Sequence, residues 1–132
     1  MGVEENKAAI KRFLSREVFF GGSLEVVDEV FASDVVLLGP VYEAQVEGTE
    51  AIKIIKDELT SYERQDGEIT ILEPQIAEGE SVATRYTLEV DGITYGGVTV
   101  SRFADGKIQE YLVAHGVNWV EERGVEERTA HN

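Results

Sequence analysis

Beyond Gly67 the hydrophobic period of this chain changes. Before that point apolar residues recur every three or four positions; after it they recur every second position, and two Asp-Gly dipeptides punctuate the alternation. Val82, Thr84, Tyr86, Leu88 and Val90 share one face of a strand that ends at Asp91-Gly92, the dipeptide best suited to a two-residue hairpin turn. A strand from about Thr94 to Phe103 follows, Asp105-Gly106 repeats the turn, and another strand runs from Lys107 to about Val117. Upstream, Ile69 and Ile71 alternate with Thr70 and Leu72. Pro74 then predicts a sheet edge or a bend, because it cannot donate to a ladder.

The first half reads as helices. Ala9, Ile10, Phe13, Leu14 and Val18 predict a helix from Glu4 to about Phe20, closed by Gly21-Gly22. Ser23 is the expected cap of a short second helix, with Leu24, Val27, Val30 and Phe31 facing inward. Val35 to Leu38 predicts a short strand ended by Gly39-Pro40. Thr49 is the expected N-cap of a third helix, with Glu50 at its positive end and Ala51, Ile52, Ile55, Leu59 and Tyr62 on its buried side. Helices followed by an antiparallel meander make an α+β domain. N-terminal helices are expected to pack in a curved, mostly antiparallel sheet and enclose an apolar, ligand-sized pocket. The expected domain spans residues 1–120, and Glu121 to Asn132 forms a polar tail.

At 132 residues there is room for one core, and 42% hydrophobic with 29% charged residues is globular rather than disordered. The absence of cysteine excludes disulfides, thiolate metal sites and cysteine nucleophiles. No apolar run reaches the roughly 18 residues of a membrane span, and no signal-peptide pattern opens the chain. Met1-Gly2 is followed by Asn6 where myristoylation wants Ser or Thr. A soluble, cytoplasmic protein is expected. The net charge of −14 repels phosphate backbones and anionic lipids, so neither nucleic acid nor membrane is an expected partner. That charge either draws cationic partners or keeps a solvated surface soluble, and the scatter of the acids favours the second.

Val98, Val100, Ile108, Leu112 and Ala114 fall on the sheet face opposite the helices and are too apolar for solvent. A homodimer through this outer face is therefore expected.

Three stretches carry a resemblance. They are Val30-Phe31-Ala32-Ser33-Asp34-Val35-Val36 leading to Gly39-Pro40, Gly48-Thr49-Glu50-Ala51-Ile52, and Ser101-Arg102-Phe103-Ala104-Asp105-Gly106-Lys107-Ile108-Gln109-Glu110. In this order and spacing they resemble the nuclear-transport-factor-2-like superfamily, and within it the SnoaL-like polyketide cyclase group. The resemblance covers about residues 6 to 117. It implies the cystatin-like, ketosteroid-isomerase-like cone, whose pocket opens between sheet and helices. It does not imply one activity, because the superfamily holds isomerases, dehydratases, epoxide hydrolases, cyclases and binding domains. Overlaid on ketosteroid isomerases, the catalytic carboxylate position falls on Gly39, the protonated acid on Thr99, and the helix-one tyrosine on Phe13 or Ser15. The Arg-x-Asp pair of limonene epoxide hydrolases falls near Arg85 and Thr87. In polyketide cyclases an acid often follows the Gly-Lys-Ile-x-Glu motif, where this chain has Tyr111-Leu112-Val113-Ala114-His115. The resemblance therefore brings no catalytic carboxylate with it.

The same overlay turns Thr84, Tyr86 and Leu88, then Tyr95, Gly97, Thr99 and Ser101, then Tyr111, Val113 and His115 toward the pocket. His115 is the candidate general base and Tyr111 a candidate hydrogen-bond donor. Tyr86, Leu88, Tyr95, Thr99, Ser101, Val113 and Trp119 are the candidate ligand contacts. Each has a plainer reading: a satisfied core tyrosine, strand filler, or, for Trp119, a subunit contact. Gly96-Gly97 reads as a bulge or bend. The two histidines are far apart in sequence, so no metal site is expected, and neither is a cofactor. Two functions follow. One is a small-molecule-binding domain taking a hydrophobic ligand. The other is a cofactor-independent isomerase, cyclase or dehydratase acting on a hydrophobic carbonyl compound.

Overall fold

A computed structural model describes residues 2–38 and 45–116, the last two of them, His115 and Gly116, by backbone alone. The order is α1 (Val3–Phe13), α2 (Arg16–Phe19), α3 (Glu25–Val30), β1 (Phe31–Leu38), β2 (Val46–Glu47), α4 (Gly48–Tyr62), β3 (Gly67–Glu78), β4 (Ser81–Val90), β5 (Ile93–Ala104) and β6 (Lys107–Gly116). The strands form one strongly curved, unclosed sheet in the order β2-β1-β6-β5-β4-β3. Strands β3 to β6 are the antiparallel meander, and β1 joins it parallel to β6. This is the α+β architecture that the change of period predicts.

Local chemistry explains most of the meander. Asp91 and Gly92 have φ of 51° and 82°, and Asp105 and Gly106 have 52° and 80°. Both central residues of each hairpin are left-handed, as a type I′ turn requires, and aspartate tolerates that region better than most residues. Along β4, Val82, Thr84, Tyr86, Leu88 and Val90 are all buried, while Arg85 and Glu89 are exposed. Pro74 lies in β3, an edge strand, beside a register shift between Leu72 and Ile76. The shift, the proline and the exposed Glu68, Glu73 and Glu78 make that edge a poor template for another strand.

The helices depart from expectation in three places. The first breaks between Leu14 and Ser15, where Ser15 Oγ donates to the Arg12 carbonyl at 2.8 Å. The break lets Phe13 and Leu14 above it and Val18 and Phe19 below it all bury. Ser23 and Thr49 do not cap: Leu24 and Glu47 occupy the N-cap positions, and neither makes a side-chain cap bond. At α4 the cause is β2, whose pairing with Val36 and Leu37 holds Glu47 extended right up to the helix.

Ile108 corrects the reading of the outer face. A register shift between Arg102 and Phe103 leaves Gln109 as the extra residue, so Phe103 pairs with Ile108 and both are buried. One inserted residue carries a side chain to the opposite face. Val98, Leu112 and Ala114 remain partly exposed outward and Val100 is 39% exposed, with Ala83 opposite Val100 in β4. The centre of the core is Ile10, Val27, Phe31, Val35, Leu37, Phe103 and Ile108, each at most 1% exposed.

Candidate functional site

The core does not quite close. Between the helices and the inner sheet face lies a cavity of about 40 Å³. Phe13, Leu14 and Phe19 reach it from α1 and α2, Ile55, Glu58, Leu59 and Tyr62 from α4, Tyr86 and Leu88 from β4, and Tyr111 and Val113 from β6. Helix α4 packs chiefly on β1, β2, α2 and α3, and this is why a gap survives between it and β4. The cavity is narrower than the expected ligand-sized chamber, since small-molecule pockets run to roughly 300–1,000 Å³ and a water occupies about 30 Å³. Aromatic rings take up the difference. Phe31 meets Tyr111 edge-on at 5.1 Å and Phe13 at 4.9 Å, Phe13 meets Phe19 at 5.7 Å, and Phe19 stacks on Tyr62 at 6.0 Å.

Tyr86 owes its position to Gly97. The two are cross-strand partners, and a Cβ built at Gly97 would overlap the Tyr86 ring and hydroxyl. Gly96-Gly97 thus marks no bulge: the register of β5 runs unbroken past it on both sides. The glycine is a slot for a tyrosine.

Of the expected site residues, Tyr86, Leu88, Tyr111 and Val113 meet at the cavity. Tyr95 is half-buried opposite Leu88. Thr99 and Ser101 are fully buried on β5 but do not line the cavity, and neither hydroxyl has a hydrogen-bond partner among the described residues. Their neighbour Thr84 does have one: Gln75 Nε2 donates to its Oγ1 at 3.1 Å and to the Lys7 carbonyl at 3.2 Å. His115 lies opposite Gly97 in the register, and its side chain is outside the described residues. Trp119 and Gly39 are likewise outside them.

Glu58 and Tyr62 were not legible as site residues. They sit one turn apart on the flank of the stripe formed by Ala51, Ile55 and Leu59. Glu58 follows Ile55 by three positions and precedes Tyr62 by four, a spacing that puts it beside the buried stripe without marking it as a cavity residue. Burial, then the Glu58 carboxylate, then Tyr95, raise the Tyr62 pKa, which keeps its phenol protonated and able to donate. Among the described residues the cavity wall is apolar in bulk, with three phenols and one carboxylate.

A larger depression of about 570 Å³ lies outside the cone, between β1, α4 and the β5–β6 turn. Four of its polar side chains, Asp28, Asp34, Lys107 and Gln109, are engaged in ion pairs or hydrogen bonds. Lys56 pairs with Asp28 at 2.8 Å, Lys107 donates to the Asp28 carbonyl at 3.0 Å, and Gln109 donates to Asp34 at 3.1 Å. Among the described residues no group of three or more acids or histidines could hold a metal ion. No helix among them is long and apolar enough to cross a membrane. The cone cavity is the candidate site.

Known structures agree on the fold. A candidate ketosteroid isomerase from Kribbella flavida DSM 17836 superposes with a TM-score of 0.68 at 18% identity, over 86% of this chain and 78% of that one. An LEH-like epoxide hydrolase of M. tuberculosis gives 0.64 at 20% identity, over 86% and 84%. A de novo designed protein with a curved β-sheet gives 0.68 at 19% identity, over 86% of both chains. Identities this low show the fold alone. Nothing matches among the curated proteins. The SnoaL-like domain profile matches residues 10–111, more than half of the sequence, from within α1 to within β6, and the chain belongs to the SnoaL-like domain family.

Proposed function

We propose that this protein binds a small, largely apolar compound in the cone cavity, oriented by Tyr86 and Tyr111. The observation that carries this reading is the cavity wall, where phenols and a carboxylate converge on apolar surface instead of a filled core. The cavity as it stands holds little more than a water, so binding requires the half-buried Tyr62 and Glu58 on α4 to swing outward. A titration with cyclohexanol, followed by methyl NMR, tests it. Saturable shifts at Leu88 and Val113 are expected, with Tyr111→Phe weakening binding by about 1 kcal/mol. Shifts that scatter over the surface without saturating would sink the reading.

A second reading is supported by the isomerase and hydrolase descriptions of the structural neighbours and by the register of β6, which carries position 115 opposite Gly97. In it the protein is a cofactor-independent isomerase, cyclase or dehydratase for a hydrophobic carbonyl compound, with His115 as the general base. The elementary step is removal of a proton next to the carbonyl, with the phenols holding the enolate oxygen. Deuterium uptake by cyclohexanone in D₂O reports that step directly. Acceleration by the wild type and none by His115→Asn would establish it; equal rates with and without protein would leave binding alone.

We also propose a cytoplasmic homodimer joined through Val98, Val100, Leu112 and Ala114. These four residues and Ala83 make a contiguous apolar patch, bounded by Arg85 and by the Arg102–Glu110 ion pair.

A further inference from the structure

We infer how a second copy docks on the outer sheet face: the strands of the two copies cross steeply, a two-fold axis passes at Val100, and Arg85 of each copy lies over Glu110 of the other. The inference rests on the proposed homodimer and adds its geometry. The register lays a row straight across the outer face, with Ile76 beside Ala83, then Val100, Leu112 and Leu38. All five are apolar, and Ile76 is 66% and Val100 39% exposed. Of the outward positions next to Val100, three are charged. Arg102 lies on the same strand, paired with Glu110 on β6. Arg85 lies on β4 opposite Val98, diagonally across Val100 from Glu110. Two arginines and one glutamate give this neighbourhood +1 in a chain of net −14, so two copies repel each other least there. The charges then choose among the in-plane axes through Val100. A two-fold along the strands would set Arg102 on Arg102 and leave Arg85 over Ala114. One across the strands would set Arg85 over Ser81 and Glu110 over Ala114. One along the diagonal would put Arg85 on Arg85 and Glu110 on Glu110, like charge on like. The axis at right angles to that diagonal covers each Arg85 with Glu110 of the other copy, twice per dimer. With strands about 4.8 Å apart and about 3.4 Å per residue, it crosses the two sets of strands at roughly 70°, near the orthogonal class of sheet packing. Packed sheets stand about 10 Å apart, a gap that an arginine and a glutamate reaching toward each other span. Arg85 is exposed and donates to the Glu73 carbonyl at 3.3 Å, and a guanidinium has further donors to spare.

Sedimentation equilibrium of charge-reversed variants of the full chain tests this pairing, with each fold checked by circular dichroism. Arg102→Glu combined with Glu110→Arg keeps an ion pair within each copy and leaves the net charge at −14. Across the interface it sets two positive charges together, at positions 85 and 110. The dimer dissociation constant is expected to rise at least about tenfold. Adding Arg85→Glu restores opposite signs across the interface, and dimerisation should return although each copy is now more negative. If the doubly reversed chain dimerises as tightly as the wild type, Arg85 does not meet Glu110, and the geometry is wrong while the homodimer stands. If it dissociates and the triple reversal does not recover, the loss is not one of pairing and the inference falls. A wild type that is monomeric at micromolar concentration removes the homodimer and this geometry with it.

Discussion

Replacing Gly97 with alanine is a sharp test of how this site is built. The backbone there has no positive φ, so alanine meets no torsional penalty. The cost is purely steric: the new Cβ would overlap the Tyr86 ring, and β5 cannot retreat because Gly97 is paired to Tyr86 on one side and His115 on the other. Overpacking of this kind costs about 1–3 kcal/mol. Alanine in a strand returns about 0.5–1 kcal/mol relative to glycine. The expected net loss is about 1–2 kcal/mol, or a fall of roughly 4–8 °C in melting temperature for a chain of this size. In a Tyr86→Ala background the clash is gone, so the same change should stabilise by about 0.5–1 kcal/mol. The cycle, measured by urea denaturation, should therefore show a coupling of about 2–3 kcal/mol. Additive effects in the two backgrounds would falsify the account of Gly97 as a slot. In the single variant, a displaced Tyr86 ring has nowhere to go but the 40 Å³ cavity, so cyclohexanol binding should be lost together with stability.

Three further outcomes are expected. Val100→Lys should move the sedimenting species from dimer to monomer without unfolding it, whereas Ile108→Ala, in the core, should cost about 2–5 kcal/mol; a wild type already monomeric at micromolar concentration refutes the outer-face contact. Thr99→Val should stabilise by about 1 kcal/mol, because it removes a fully buried hydroxyl with no partner among the described residues and keeps its shape; a loss of stability means the hydroxyl is engaged after all. The hydrogen bond from Arg102 at 2.8 Å, opposed by partial burial, holds the Glu110 carboxyl below its ordinary range. A carboxyl whose folded pKa is depressed stabilises above its unfolded pKa and loses that contribution as pH falls through the folded value. The stability difference between wild type and Arg102→Gln should thus be present at neutral pH and disappear below the ordinary carboxylate range. A difference that persists in acid would assign the role of Arg102 to packing.

The parts of this fold legible in the sequence are those where one local rule decides the outcome. Period two fixed the inward face of β4 from Val82 to Val90, and Asp-Gly at two places fixed both hairpins. The side chain of Ile108 was not legible, because the bulge at Arg102–Phe103 has no glycine or proline to announce it. The slot at Gly97 is not legible, because a glycine in a strand looks the same whether it makes a bulge, bends the backbone or admits a ring from the next strand. Glu58 was missed for a related reason. A charge beside a buried helical stripe reads as solvated, and only the gap between α4 and β4 turns it toward a cavity. Tyr86, Leu88, Tyr111 and Val113 were readable as inward-facing from alternation alone, but that they share one cavity follows from the sheet's curvature.

Native mass spectrometry of the freshly purified protein tests the binding role most directly, run beside Val113→Phe, whose added ring would fill the cavity. The wild type should carry a non-covalent adduct of small-molecule mass, released on mild activation, and the filled variant, with unchanged circular dichroism, should not. Bare protein mass in both samples, or the same adduct on both, would contradict a ligand in the cone.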